Sequence, residues 1–135
     1  DRTFLAYEFW SSELLGEARG GIDVTLAPTS CKLLAIHERQ GVPQIVGTDR
    51  HFTQGGIELA DVRWDAGTNT LTGTALGKPG MTWRLFAYLP PGCTWKQEEH
   101  SATNLSDVAC DRSLLRARVS FHDTQRVDWS LRFQR

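Results

Sequence analysis

Apolar and polar residues alternate almost without interruption near the end of the chain. Leu115, Ala117, Val119 and Phe121, then Val127, Trp129, Leu131 and Phe133, are interleaved mainly with Arg, Ser, Asp and Gln. Successive side chains of an extended strand point to opposite faces, so a period of two marks a half-buried antiparallel strand. Earlier tracts read the same way. Leu5, Tyr7 and Phe9 form one face of a first strand, ended by Ser11, Ser12 and Glu13, and Ile22, Val24 and Leu26 form a second after Gly20 and Gly21. Residues 31–38 are apolar on both sides, Leu33 and Ala35 against Leu34 and Ile36, which predicts a central strand covered on two faces. Trp83, Leu85, Ala87 and Leu89, with Phe86 and Tyr88 opposite, predict another well-covered strand.

Residues 57–64 and 71–76 flank the turn-rich stretch 65–69 and predict a hairpin. The apolar parity of its first strand shifts from Ile57 and Leu59 to Val62 and Trp64, as a one-residue bulge near Ala60 and Asp61 requires. If the last two tracts pair with each other, the shared odd parity of their apolar residues demands an even register sum. The preferred register sets Arg118 opposite Asp128 across a three-residue loop. Only residues 11–19, through Leu14, Leu15 and Ala18, suggest a turn or two of helix. About nine short strands punctuated by Gly and Pro predict an all-β fold, an antiparallel β-sandwich or Greek key. A length of 135 residues suits a single domain, 1–135, with a sub-boundary at 40–43 where Gly41 and Pro43 interrupt the pattern. Residues 1–40 are also compatible with a sheet completed by strands from outside this chain.

Composition narrows the partners. A net charge of -1 gives no general argument for nucleic acid, and the six Arg against two Asp in residues 112–135 fall mostly at outward alternation positions. No apolar run approaches the ~18 residues of a membrane span. The opening at Asp1, with no Met and no charged and apolar leader, is the pattern expected of an excised or processed piece. Three cysteines allow at most one internal disulfide. Cys93 and Cys110 flank a polar loop and are the candidates, a pairing that would point to a periplasmic or extracellular setting, whereas Cys31 reads as a small buried hydrophobe.

Candidate chemistry is sparse. Asp61 with Asp65, or Glu98 with Glu99, are the nearest acid pairs, but turn geometry and loop polarity explain them without catalysis. Cys93, His100 and Cys110 lack the spacing of a zinc site, His37, His51 and His122 read as ordinary surface or hydrogen-bonded residues, and Gly47 to Gly56 lacks a phosphate cradle, so no cofactor is expected. Of five tryptophans, Trp64, Trp83 and Trp129 belong to strand faces. Trp10 and Trp95 are the candidates for a sugar-stacking platform.

Tyr7-Glu8-Phe9-Trp10, then Leu15-Gly16-Glu17, then residues 26–36 reading LAPTSCKLLAI, resemble the closing strands of the C-terminal β-domain of α-galactosidase-like, multidomain bacterial glycoside hydrolases. Ala27 and Thr29 depart from that pattern, which often has Pro and His there. Residues 43–73 look like its continuation, so the similarity spans roughly the first two-thirds of the chain. The resemblance implies a non-catalytic accessory domain. In that family the catalytic Asp residues lie on a (β/α)8 barrel that precedes this domain, and that barrel is the implied partner. Two other readings are an independent carbohydrate-binding module and a structural or protein-interaction β-domain.

Overall fold

A computed structural model describes residues 2–50, 53–98 and 101–135. They form eleven strands and, among the described residues, no helix. In chain order these are β1 (Phe4–Glu8), β2 (Glu13–Ala18), β3 (Leu34–Glu38), β4 (Gln44–Thr48), β5 (Leu59–Asp65), β6 (Thr70–Leu76), β7 (Thr82–Tyr88), β8 (Ala102–Thr103), β9 (Ser106–Asp111), β10 (Leu114–Ser120) and β11 (Arg126–Arg132). They make three antiparallel sheets: an N-terminal sheet β2-β1-β3, a middle sheet β4-β7-β10-β9 and an outer sheet β5-β6-β11-β8. The antiparallel β-sandwich is thus present, with eleven strands where the pattern suggested nine.

The alternation of β7 explains the layering. Trp83, Leu85 and Ala87 point into a core shared with Leu115, Ala117 and Val119 of β10 and with Leu71, Ala75, Trp129 and Leu131 of the outer sheet. Phe86 and Tyr88 point the other way, where Leu5 and Tyr7 of β1 and Val46 of β4 meet them. The Tyr7 and Phe86 rings lie 5.1 Å apart. Both faces of the middle sheet are therefore dry over this stretch, and the N-terminal sheet acts as a lid on the sandwich. A polar pin closes its rim: the Tyr88 hydroxyl donates to Glu17 at 3.0 Å, and Arg39 pairs with the same carboxylate at 3.0 Å.

Several expectations are corrected. β10 and β11 do not pair; they lie in different sheets, β10 between β7 and β9, β11 between β6 and β8. Two strands that are each apolar on one side can meet edge to edge or face to face, and the bulky odd-numbered residues here meet across the sandwich. Arg118 consequently pairs with Asp107 at 2.7 Å, while Asp128 accepts from the Thr74 hydroxyl at 2.7 Å. Residues 13–18 are strand, not helix, because Leu14 packs inward beside Tyr7 and β1 supplies the ladder partner. Residues 22–26 form no strand, and Val24 and Leu26 are exposed. β3 is an edge rather than a central strand, with Ile36 52 % exposed. The hairpin β5–β6 and its bulge are present: Ala60 faces Thr74 and Arg63 faces Thr72, with Asp61 at φ 54° inside the bulge.

Close approach of backbone to ring fixes a glycine in each of two strands, β4 and β6. A Cβ at Gly73 would lie 2.7 Å from Trp129 Cζ2, and one at Gly47 would lie 2.8 Å from Tyr7 Cδ1. Gly21 has nothing within 4 Å and no positive φ. Gly73→Ala is expected to destabilise the domain by about 1–3 kcal/mol in urea unfolding, and Gly21→Ala to stay within about 0.5 kcal/mol. Equal effects of the two changes would contradict the packing described.

Candidate functional site

Two buried carboxylates are the most constrained polar groups of the chain. Glu8 ends β1 and is 1 % exposed. One of its oxygens accepts from the Ser11 amide and the Ser11 hydroxyl, both at 2.7 Å, and the other from the Trp10 amide at 3.2 Å and the Leu33 amide at 3.4 Å. It shapes the β1–β2 turn and ties it to the segment entering β3. Burial alone would raise its pKa, but the Ser11 hydroxyl and the three amides outweigh that and hold it at about 2. Glu58, 6 % exposed, does the same for the loop before β5, accepting from the Thr48 hydroxyl, the Gly55 amide and the Ile57 amide. Burial opposes its ionisation too, and hydrogen bonds from the Thr48 and Thr53 side chains and the Gly55 amide outweigh it, lowering its pKa. Both acids have their acceptor capacity turned toward their own backbone. Such a carboxylate organises loops; it is not positioned to take a proton from a substrate.

A groove of about 710 Å³ lies where three sheet edges meet. Ile36 of β3, Ile45 of β4, and Leu59, Val62 and Trp64 of β5 line it, with Gln54 at one end. The Trp64 ring is already engaged: Phe133 lies 5.9 Å away and the Arg135 guanidinium sits 5.5 Å from the ring centre. Polar side chains, among them His37, Glu38, Gln44, Asp61 and Arg63, share the lining with these apolar ones in comparable measure.

The two sugar-platform candidates are not brought together. Trp10, 54 % exposed, stands at the β1–β2 turn with its ring edge-on to Phe9, centroids 4.9 Å apart and planes at 81°. Trp95 is half-buried and packs against the core between the middle and outer sheets. They sit on opposite sides of the middle sheet. Asp65 accepts from the Gly67 amide at 2.8 Å, a turn role, and Asp61 occupies the bulge. Glu98 is exposed and accepts from the Gln134 side chain, while Glu99, His51 and His100 lie outside the described residues. Among the described residues no three His, Cys, Asp or Glu side chains gather as metal ligands do.

The expected Cys93–Cys110 bridge is not formed; both are free thiols. Cys110 lies on the edge strand β9, whereas Cys93 sits in the turn after Pro90 that leads into the Thr94–Gln134 bridge, so the two thiols are carried by different parts of the fold. Cys31 is exposed, not buried, because its segment lies outside the strands. The role of Glu8 escaped the sequence reading, although one acid inside the apolar run Leu5-Ala6-Tyr7 was a visible signal. Comparison with family models, with curated proteins and with solved structures finds no match.

The depressed pKa of Glu8 has a defined sign. Its contribution to stability is fully present above the ordinary value of 4.5 and is lost as pH falls through about 2. Urea unfolding across that window is expected to show an acid limb that shrinks in Glu8→Gln. At neutral pH that variant is expected to lose about 1–3 kcal/mol, because its amide group faces donors it cannot satisfy. An unchanged acid limb would remove Glu8 from this role.

Proposed function

We propose that this chain is a non-catalytic accessory β-domain that packs against and stabilises a companion catalytic domain. The observation that carries this is where the exposed apolar bulk lies. Trp10, Leu15, Val24, Leu26, Ile36, Ile57 and Val62 are the large hydrophobic residues left to solvent among the described residues, and all precede residue 63. The half of the chain from residue 63 onward hides its own. Large apolar side chains left exposed in this number are candidates for contact with another molecule.

The same N-terminal stretch carries the resemblance to α-galactosidase-like glycoside hydrolases, and Trp10, Leu15, Leu26 and Ile36 fall inside the resembling segments. On this reading the companion is a (β/α)8 barrel, reached through the β1–β2 turn and residues 21–33. The saturation of Glu8 and Glu58 by their own backbone supports a role without catalysis.

The isolated chain is expected to release no sugar from α-galactosides. Val24→Asp with Leu26→Asp is expected to leave its stability within about 0.5 kcal/mol, since both side chains face water, while weakening its association with the barrel. Turnover by the isolated chain that disappears on replacing a single carboxylate would overturn the proposal. The exposed Trp10 ring favours a second reading, a carbohydrate-binding module. Titration against an oligosaccharide panel separates the two: saturable binding lost in Trp10→Ala or Trp95→Ala supports the module instead.

A further inference from the structure

A sheet edge exposes a row of unpaired backbone groups, and folded proteins blunt such edges with bulges, short strands or charges. Among the described residues, five of the six sheet edges are blunted. Each of β2, β4, β5 and β9 carries one extra residue against its neighbour, at Leu15, at Val46, within residues 61–62 and within residues 107–108. β8 is two residues long. β3 alone runs five residues in unbroken register along β1, with neither proline nor bulge.

The ladder shows which peptide groups this edge presents. The Arg39 amide donates to Thr3 and the Phe9 amide donates to Leu33, so the odd-numbered residues of β3 exchange hydrogen bonds with β1. The alternation of an antiparallel pair then turns the N–H and C=O groups of Leu34, Ile36 and Glu38 outward. The Glu38 carbonyl already accepts from the Gln44 side chain at 3.0 Å, so that residue can add to the ladder only through its amide and its side chain. The peptide groups of Leu34 and Ile36 remain open, and Ile36 lines the groove shared with β4 and β5.

We propose that β3 is a self-association edge, pairing antiparallel with β3 of a second copy of this chain about a two-fold axis at Ala35. The even residues must be the hydrogen-bonded ones, so the register sum across the dyad is even, and charge chooses among the registers. A sum of 70 sets Leu34 opposite the second copy's Ile36 and Lys32 opposite its Glu38, each pair occurring twice. A sum of 72 sets Leu34 against Glu38 and leaves Lys32 without an acid directly opposite. Lys32 and Glu38 are both exposed and share the outer face with Ile36, and the Glu38 carboxylate makes only a long, exposed pair with Arg2 at 3.6 Å, so the first register pairs apolar with apolar and adds a second cation to that anion. The two N-terminal sheets become one six-stranded sheet, β2-β1-β3-β3-β1-β2. This association does not depend on the accessory-domain reading.

Sedimentation of the full 135-residue chain tests it, up to about 1 mM so that weak pairing is visible. The expected result is a monomer–dimer equilibrium. Lys32→Glu and Glu38→Lys singly are each expected to weaken the dimer roughly tenfold, because each places two like-charge pairs opposite one another, and the double reversal is expected to restore it. Thermal melts of all three variants should stay close to the parent, since neither side chain is buried and the exposed Arg2–Glu38 pair lost in Glu38→Lys is worth at most about 1 kcal/mol. A chain that stays monomeric throughout, or a dimer indifferent to both single reversals, overturns the proposal.

Discussion

Residues 85–89 are buried on both sides, and the rest of the architecture follows from having to cover both. Leu85, Ala87 and Leu89 face the outer sheet; Phe86 and Tyr88 face the N-terminal sheet. A two-layer sandwich would have left those two aromatic rings in water. Burying a side chain of that size contributes about 1.5–3 kcal/mol relative to exposure, so Phe86 and Tyr88 together account for a stabilisation comparable to a good part of a small domain's net stability. The third layer is thus part of the folding unit, and its inner face answers this need with Leu5, Tyr7, Leu14 and Ala35.

Polar groups are arranged around that requirement. Glu8 and Glu58 lie under 10 % exposed and are satisfied by amides and hydroxyls of the loops they organise, which is how an ionised group is kept in a desolvated place. Tyr88 reaches past the core to Glu17, turning the rim of the apolar contact into a hydrogen-bonded seam. The indole N–H groups of Trp83 and Trp129 have no partner among the described residues. Their rings fill the sandwich, and the area they bury offsets the missing bond.

Strand character was legible wherever one face had to be apolar. Residues 114–120 and 126–132 are strands, the 59–76 hairpin forms, and the parity shift at residues 60–62 is a bulge with Asp61 at positive φ. Pairing was less legible. Parity constrains which faces can share a sheet, yet β10 and β11 satisfy the same parity by meeting across the core, and nothing local separates the two outcomes. The tract from 13 to 38 misled for a related reason: Ile22, Val24, Leu26, Leu34 and Ile36 look like core strand faces by hydropathy, and much of that apolar surface is exposed here. Trp10 is exposed at the β1–β2 turn, whereas Trp95 is half-buried, because the chain around residue 94 bridges to Gln134 and seats the indole against the core. Apolar residues placed for contact with another molecule carry the same signature as those placed for the interior.

The central claim is that the N-terminal sheet and the sandwich form one cooperative unit through the two-faced strand β7. Native-state hydrogen exchange in low denaturant tests it directly. The amides of Leu5 and Tyr7, donating within the N-terminal sheet, should exchange with the same free energy and denaturant slope as those of Leu85 and Ala87 in the middle sheet. Exchange of the β1 amides through a separate opening of lower free energy and smaller slope, with β7 still protected, would show a detachable layer and contradict the account.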